Sequence, residues 1–357
     1  MQNSFNILFD SERMKYPHTG LYHYCLEVGN ALLNAQQSND KSFHFYIPNK
    51  AMGIFGDRAH YFEQFSWHKF YLPNTKKYDL WHCTYQGSRY FPFNSKCKKV
   101  LTVHDINFLY DSRKSNKKKQ KYLNDLQKKI DKVDHLIVIS NFVKDQILEV
   151  VSAINKPISV IYNGCNINNS IEPRNPIQIP NGEFLFTIGT IVDKKNFHVL
   201  PRLLIDNSLQ LIIAGIEQST SYKQTIINEA TRHNVLHRVH FVGMITEAEK
   251  YWYYKNCKAF VFPSLAEGFG LPVIEAMHFG IPVFLSTATS LPEIGGEEAY
   301  YFNSFDPDHM KDVLQSGLAD YQINDKSKSI QKRAALFQWK NVAESYNKIY
   351  NQLLYNE

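Results

Sequence analysis

The sequence lacks any feature that would carry it through a membrane as a helix. Although 44% of its 357 residues are hydrophobic, no apolar run approaches the ~20 residues needed to span a bilayer. Met1 to Asn6 is too polar for a secretory leader, and Ile7-Leu8-Phe9 reads as a short strand start. Cysteine is scarce. Cys25, Cys83, Cys97, Cys165 and Cys257 are scattered and odd in number, and no pair has close metal-ligand spacing. This argues against a disulfide scaffold and for buried thiols in a reduced, cytoplasmic compartment. No cluster of His, Cys and Asp suggests a bound transition metal. No repeat of solenoid period is visible, and no nucleic-acid motif accompanies the basic excess, so nucleic acid is not expected as a partner.

What the chain does have is length and alternation. Its 357 residues suit two domains of ordinary size. In the first half, strand candidates at 5–9, 43–47, 79–82, 99–103, 135–139 and 158–162 alternate with helices expected over 21–33 and 142–151. His18-Thr19-Gly20 forms the first turn, Ser140 reads as a helix N-cap, and Asn163-Gly164 marks a hinge turn. In the second half, strands near 184–188, 209–214, 239–242, 259–262 and 282–285 alternate with helices near 197–204, 219–233, 246–256, 272–279 and 307–317. A last helix is expected over 341–354. Such alternation implies α/β architecture, with parallel sheets covered by helices on both faces. The segment 164–182 is rich in Asn and Pro, which makes it the linker candidate. The expected division is 1–165, a linker at 166–182, a second domain at 183–338, and a terminal helix at 339–357.

The net charge of +6 is unevenly spread. Between Arg113 and Lys132 lie nine basic residues against Asp125 and Asp131. A solvated helix face accounts for this. So does contact with an anionic membrane surface, worth about 1 kcal/mol per basic residue near it. Tyr122, Leu123, Leu126 and Ile130 recur at helical spacing in the same stretch, so one face can still pack.

The most informative stretch runs from Pro263 to Met277. It sets Glu267 and Glu275 on either side of a glycine-containing turn, after the apolar run Ala259 to Pro263. A helix should follow, with Pro272 in its first turn, where a missing N–H costs nothing. Free N–H groups at such a start attract phosphate, and Gly268 and Gly270 let a ligand approach the main chain. Two carboxylates beside them are acceptors for sugar or ribose hydroxyls. Lys194-Lys195-Asn196 follows another strand end and Gly189, where two cations can neutralise a diphosphate leaving group. His104 ends a strand before Asp105 and can hydrogen-bond a sugar hydroxyl; Asp105 either orients it or caps the next segment. Asp306-Pro307-Asp308 has the spacing of a metal-binding pair, but its place before a helix reads as a cap.

The stretch around Glu267 and Glu275 resembles the E-x7-E segment of family 4 glycosyltransferases, which have the GT-B architecture. Phe184 to Asn196 resembles that family's strand and phosphate turn, G-T-x-x-x-R-K-N. Leu211 to Gly215, Val239 to Gly243, Pro282-Val283 and Leu291-Pro292-Glu293 follow in the family's order. In the first half, Leu101 to Asp105, Ile137 to Phe142 and Val160 to Gly164 match as well. Lys194 replaces the family's usual Arg, and Thr190 stands where many members carry a second Arg. Lysine offers a point charge without a bidentate fork, so fewer fixed charges are expected here.

The resemblance implies a GT-B fold: two Rossmann-like, doubly wound domains facing a cleft, with the final helix crossing back to the first. It implies a retaining hexosyltransferase that works without a metal. Glu267, His104 and Lys195 would be catalytic. Donor contacts would come from Gly20, Gly189, Thr190, Lys194, Lys195, Gly243, Met244, Gly268, Phe269, Gly270, Leu271 and Glu275, with Glu275 on the ribose. Thr19, Tyr22, His23 and Asp105 would face the acceptor. The donor is expected to be a nucleoside diphosphate sugar, GDP-mannose first and a UDP-hexose second. The acceptor is expected to be a glycan or lipid-linked glycan precursor of a bacterial surface polysaccharide, such as O-antigen or capsule. The enzyme would be cytoplasmic, with peripheral contact to the inner membrane face. Rival readings within the same fold are a nucleotide-sugar epimerase and a catalytically silent nucleotide-sugar binder. A phosphorylase would need a pyridoxal-binding lysine motif that the sequence does not show.

Overall fold

The computed structural model describes residues 4–17, 19–36, 40–111, 114–152, 154–165, 167–168 and 170–355. His18 and Arg113 lie outside them. The described chain forms two units, one of Met1–Gly164 with Gln338–Glu357, the other of Cys165–Phe337.

The first unit is built on a parallel sheet of β1 (Phe5–Asp10), β2 (Lys41–Ile47), β3 (His60–Glu63), β4 (Leu80–Cys83), β5 (Lys98–Val103), β6 (His135–Val138) and β7 (Ile158–Val160). Their order is β3-β2-β1-β4-β5-β6-β7. The inner strands β4 and β6 are buried at every position, as expected of parallel strands covered on both faces. The helices are α1 (Gly20–Asn34), α2 (Asn116–Ile130) and α3 (Asn141–Val150). Ser140 caps α3, its Oγ accepting the Val143 amide at 3.1 Å. On α2, Leu126 and Ile130 pack inward, whereas Lys117, Lys118, Lys121 and Lys128 are exposed.

The second unit repeats the plan. Its sheet comprises β8 (Phe184–Ile188), β9 (Gln210–Ala214), β10 (Val239–Gly243), β11 (Ala259–Phe262), β12 (Val283–Ser286) and β13 (Tyr300–Phe302), in the order β10-β9-β8-β11-β12-β13. Around it lie α4 (Thr220–Arg232), α5 (Glu247–Asn256), α6 (Leu271–His278), α7 (Leu291–Gly295), α8 (Pro307–Ile323) and α9 (Ser327–Ala334). Asp306 caps α8, accepting the amides of Asp308 and His309 at 3.0 and 3.3 Å. The helix expected over 197–204 is a 3-10 helix, Phe197–Leu204, with Pro201 inside it. A proline there removes the N–H that an α-helical turn would use.

The final helix, α10 (Trp339–Tyr355), belongs to the first unit. It buries Val342, Ala343, Tyr346, Ile349 and Tyr350 among the core residues of α1, β1 and β2. Polar groups inside this core find partners. Tyr346 Oη lies 2.5 Å from Tyr24 Oη, and Tyr350 Oη lies 2.6 Å from His82 Nδ1. Burial first, and His104 second, hold the His82 imidazole down at about 3, so it stays neutral in this packing. All five cysteines are buried thiols. Among the described residues no helix is long and apolar enough to cross a membrane.

Candidate active site

In open parallel sheets, ligands bind outside the carboxyl ends of strands where the winding direction reverses. In the second unit that reversal lies between β8 and β11, which pair directly. The segment after β8 delivers Lys195, and the segment after β11 delivers Glu267. Lys195 Nζ meets Glu267 Oε1 at 2.5 Å, and both side chains are largely buried. The ammonium also lies 4.8 Å from the centre of the Phe262 ring. Ser264 Oγ donates to the same Glu267 oxygen at 2.7 Å. Glu267 Oε2 takes no hydrogen bond from a described residue, which leaves it open to a ligand hydroxyl.

The main chain around this pair is pinned. The Lys194 carbonyl accepts Leu265 N at 2.8 Å, which ties the two segments together, and Ser264 Oγ lies 3.1 Å from it. The Glu267 amide donates to Thr289 Oγ1 at 3.2 Å, and Ser290 Oγ donates to the Phe269 carbonyl at 3.0 Å. Gly270 is the N-cap of α6 with φ of 106°, a conformation that favours glycine, and Pro272 sits in the first turn. The start of α6, four residues along the chain from Glu267, thus presents N–H groups that lack intrahelical acceptors.

Three glycines follow adjacent strands. Gly189 follows β8, Gly215 follows β9 and Gly243 ends β10. The Gly215 amide donates to the Gly243 carbonyl at 2.7 Å. A Cβ at Gly215 would lie 2.0 Å from the Gly189 carbonyl oxygen, and φ there is 131°. A Cβ on Gly189 would press on Lys195 Cε at 3.3 Å. These glycines let the strand ends lie against one another and leave room for the lysine. Gly215→Ala is expected to cost about 3 kcal/mol or more of stability, read as a shifted urea midpoint. Thr190 lies next to Gly189, half-buried, and Met244 follows Gly243, exposed.

Glu275 lies inside α6, and its own chain engages both carboxylate oxygens. Oε1 pairs with Lys250 Nζ at 2.9 Å, and Oε2 accepts Tyr254 Oη at 3.0 Å. Lys250 pairs with Glu247 as well, at 2.9 Å. Burial alone would lower the Lys250 pKa, but Glu275 and Glu247 outweigh it and raise it. Each carboxylate oxygen still has a lone pair for a hydroxyl. Sequence reasoning missed Lys250 and Tyr254, which come from α5 and carry no signal linking them to Glu275. It also missed Ser264, Thr289 and the packing role of Gly215, although Ser264 and Gly215 lay inside the quoted motifs.

In the first unit the winding reverses between β1 and β4. His104 follows β5 and is buried, with Nε2 at 2.8 Å from the Thr84 carbonyl. A carbonyl only accepts, so Nε2 carries the proton and Nδ1 is the acceptor in the neutral ring. Burial lowers its pKa to about 4, against the opposing pull of the Thr84 carbonyl and Asp105. His104 is therefore a neutral hydrogen-bonding group at physiological pH. Asp105 caps the next segment, its Oδ1 accepting the Asn107 amide at 2.9 Å. Thr19 is the N-cap of α1, accepting the Tyr22 amide at 3.3 Å, and Gly20 opens that helix with space where a side chain would point. Tyr22 and His23 stack edge to face on its first turn.

Asp10, at the end of β1, is fully buried. Its carboxylate accepts the Glu12 amide and Ser88 Oγ, each at 3.0 Å. Burial first, and Glu12 second, push its pKa up to about 7, despite these hydrogen bonds and Lys129. Between its unfolded value and about 7 the native state holds the extra proton, so this group's contribution to stability falls as pH rises through that window. Asp10→Asn keeps the acceptor for Glu12 and offers Ser88 a donor. It is expected to raise Tm at pH 8.5 and leave it unchanged near pH 4, with a gain on the order of 2 kcal/mol at high pH. Thermal unfolding at the two pH values checks this.

Among the described residues no group of three His, Cys, Asp or Glu side chains is placed to hold a metal ion. Two family models match the chain, Glycosyltransferase Family 4 over residues 35–169 and Glycosyl transferases group 1 over residues 170–336. Over 215 residues, or 58% of the chain, it is 29% identical to the serotype-specific mannosyltransferase WbdA of Escherichia coli. The chain spans about a quarter of that protein, 26% of its length. It is 24% identical to the O-antigen chain mannosyltransferase B of Escherichia coli, over 88% of this chain and 91% of the relative. Among solved structures, the sucrose-phosphate synthase of Thermosynechococcus elongatus superposes with a TM-score of 0.76 at 20% identity, covering 99% of this chain and 100% of that one.

Proposed function

The chain belongs to the GT-B glycosyltransferases of the family 4, group 1 type, and from that premise we propose that it is a retaining hexosyltransferase. In this reading a hexose passes from a nucleoside diphosphate sugar to a hydroxyl of a surface-glycan precursor. The observation that carries it is the contact of Lys195 with Glu267 beside the start of α6, at the carboxyl ends of the paired strands β8 and β11.

Lys195, the main-chain amides of Phe269, Gly270 and Leu271 leading into α6, and Lys194 near the strand end neutralise the departing diphosphate. Gly189, Thr190 and Gly268 keep the approach to that loop open. Glu267 binds sugar hydroxyls through Oε2 and opposes the positive charge that grows at the anomeric carbon. Glu275 accepts the ribose hydroxyls, held in place by Lys250 and Tyr254. Main-chain groups near Gly243 and Met244 meet the base. His104 accepts a hydroxyl hydrogen through Nδ1. Gly20 gives access to the main chain at the start of α1, with Thr19, Tyr22, His23 and Asp105 nearby for the acceptor. The acceptor oxygen attacks on the face the diphosphate leaves, and its proton goes to the leaving phosphate oxygen. No metal ion is needed when these cations hold the diphosphate.

GDP-mannose is the first donor candidate, because the two Escherichia coli relatives are named as mannosyltransferases; a UDP-hexose is the second. Lys117 and Lys118, exposed at the start of α2, form a surface suited to anionic lipid, consistent with peripheral attachment at the cytoplasmic face. Thermal-shift screening against GDP-, UDP-, dTDP- and ADP-sugars tests the donor class, since a ligand that binds only the native state raises Tm. Stabilisation by one sugar nucleotide, with slow release of its nucleoside diphosphate, is expected. Binding with no turnover in the presence of candidate acceptors would favour a silent binder instead.

A further inference from the structure

We propose that a cavity beside α2 in the first unit binds a phosphorylated sugar, which would make the acceptor of the proposed reaction a phosphate-bearing one; the acceptor role rests on that reading. The cavity has a volume of about 800 Å³, ample for a hexose phosphate. Its walls are α2 and the segments that follow the carboxyl ends of β4 and β5.

Charge is the first argument. Arg89, Lys121 and Lys128 line the cavity, are exposed, and form no ion pair with a described residue. The carboxylates in the wall are mostly occupied. Asp111 pairs with Lys114, and Asp105 accepts the Asn107 amide. Asp105 and Asp125 then stand against Arg89, Lys121, Lys128 and the Lys129 ammonium, so the wall keeps a positive excess and a phosphoryl group would be attracted.

Surface character is the second. Phe108 meets the Tyr122 ring edge to face at 5.6 Å, and Phe93 is 43% exposed in the same wall. Tyr85 adds a fourth ring, with the Arg13 guanidinium 4.7 Å from its centre. Aromatic faces beside hydrogen-bonding groups suit the C–H faces and hydroxyls of a sugar ring. A bare anion would have no use for them.

Rigidity is the third. The buried Lys129 ammonium donates to the carbonyls of Gln86 and Ser88 at 2.5 and 2.6 Å, fixing the loop that carries Arg89. A wall held in this way loses little entropy when a ligand arrives.

Calorimetry on the full chain, without donor, tests the proposal with α-D-glucose 1-phosphate, glucose and inorganic phosphate. Glucose 1-phosphate is expected to bind about tenfold tighter than either part alone, and more weakly as salt rises. The triple variant Arg89→Ala/Lys121→Ala/Lys128→Ala should lose at least about tenfold, and Tyr122→Ala about threefold. Unchanged Tm and unchanged nucleotide-sugar binding in the same variants show that the fold and the donor site are intact. Farnesyl phosphoglucose in micelles separates the two sources of this chemistry: tighter binding than glucose 1-phosphate assigns a lipid headgroup, equal binding a free sugar phosphate. Equal affinity in wild type and triple variant overturns the proposal. So does binding to phosphatidylglycerol vesicles with none to either sugar phosphate, which would make the surface a membrane contact. If glucose 1-phosphate binds as expected but no donor is ever turned over, the transferase reading fails and the site stands.

Discussion

Glu267→Gln is expected to lower release of nucleoside diphosphate from the donor by about 10² to 10³-fold while changing donor affinity by less than about threefold. An amide oxygen in the place of Oε1 still accepts from Lys195 and Ser264, so the loop after β11 stays closed. The negative charge proposed to face the anomeric carbon is gone. Ground-state binding, carried mainly by the diphosphate, survives, while the interaction that strengthens as the glycosidic bond breaks does not. Single-turnover measurements with the stabilising donor check this split. A drop in affinity with an unchanged rate would place Glu267 in binding alone.

Lys195→Met is expected to be equally severe and to differ in kind. It removes the cation nearest the proposed diphosphate, and with it about 3 kcal/mol or more of leaving-group stabilisation. It also strands Glu267, whose carboxylate is largely buried and would lose its charged partner. Both donor affinity and turnover therefore fall, by about 10-fold and about 10²-fold or more. Lys195→Arg keeps a cation but replaces a compact ammonium with a planar fork of different reach, so it is expected to rescue only in part. In the double variant Lys195→Met/Glu267→Gln the losses are expected to be less than additive, since each single change damages the same contact. Additive losses, measured by kcat/KM, would mean that the two side chains act independently.

Much of this was readable in the chain because parallel strands buried on both faces are continuous apolar runs. Ala259–Phe262 and Phe184–Ile188 fall where the sequence put them. The edge strands His60–Glu63 and Tyr300–Phe302 went unread, being short and partly exposed, with no such run. Helix α9 went unread too; with six of its eight residues polar or charged, it gives little hydrophobic contrast. In the site, Glu267, Lys195 and the Gly270 turn were legible from motif spacing. The pairing of Glu275 with Lys250 and Tyr254 was not, because contacts between separate helices leave no local pattern. The same holds for Asp10, which reads as an ordinary strand end until its burial is known, and for the cavity beside α2. There the sequence showed only a basic stretch, and the structure adds the rings of Tyr85, Phe93 and Phe108 opposite it.

The most direct test is a calorimetric titration of wild type and Lys195→Met with GDP-mannose and UDP-glucose. The account predicts that wild type binds at least one of them, and that the substitution weakens that binding about tenfold or more. Affinities identical in the two proteins, or no binding of either nucleotide sugar to the wild type, would contradict it.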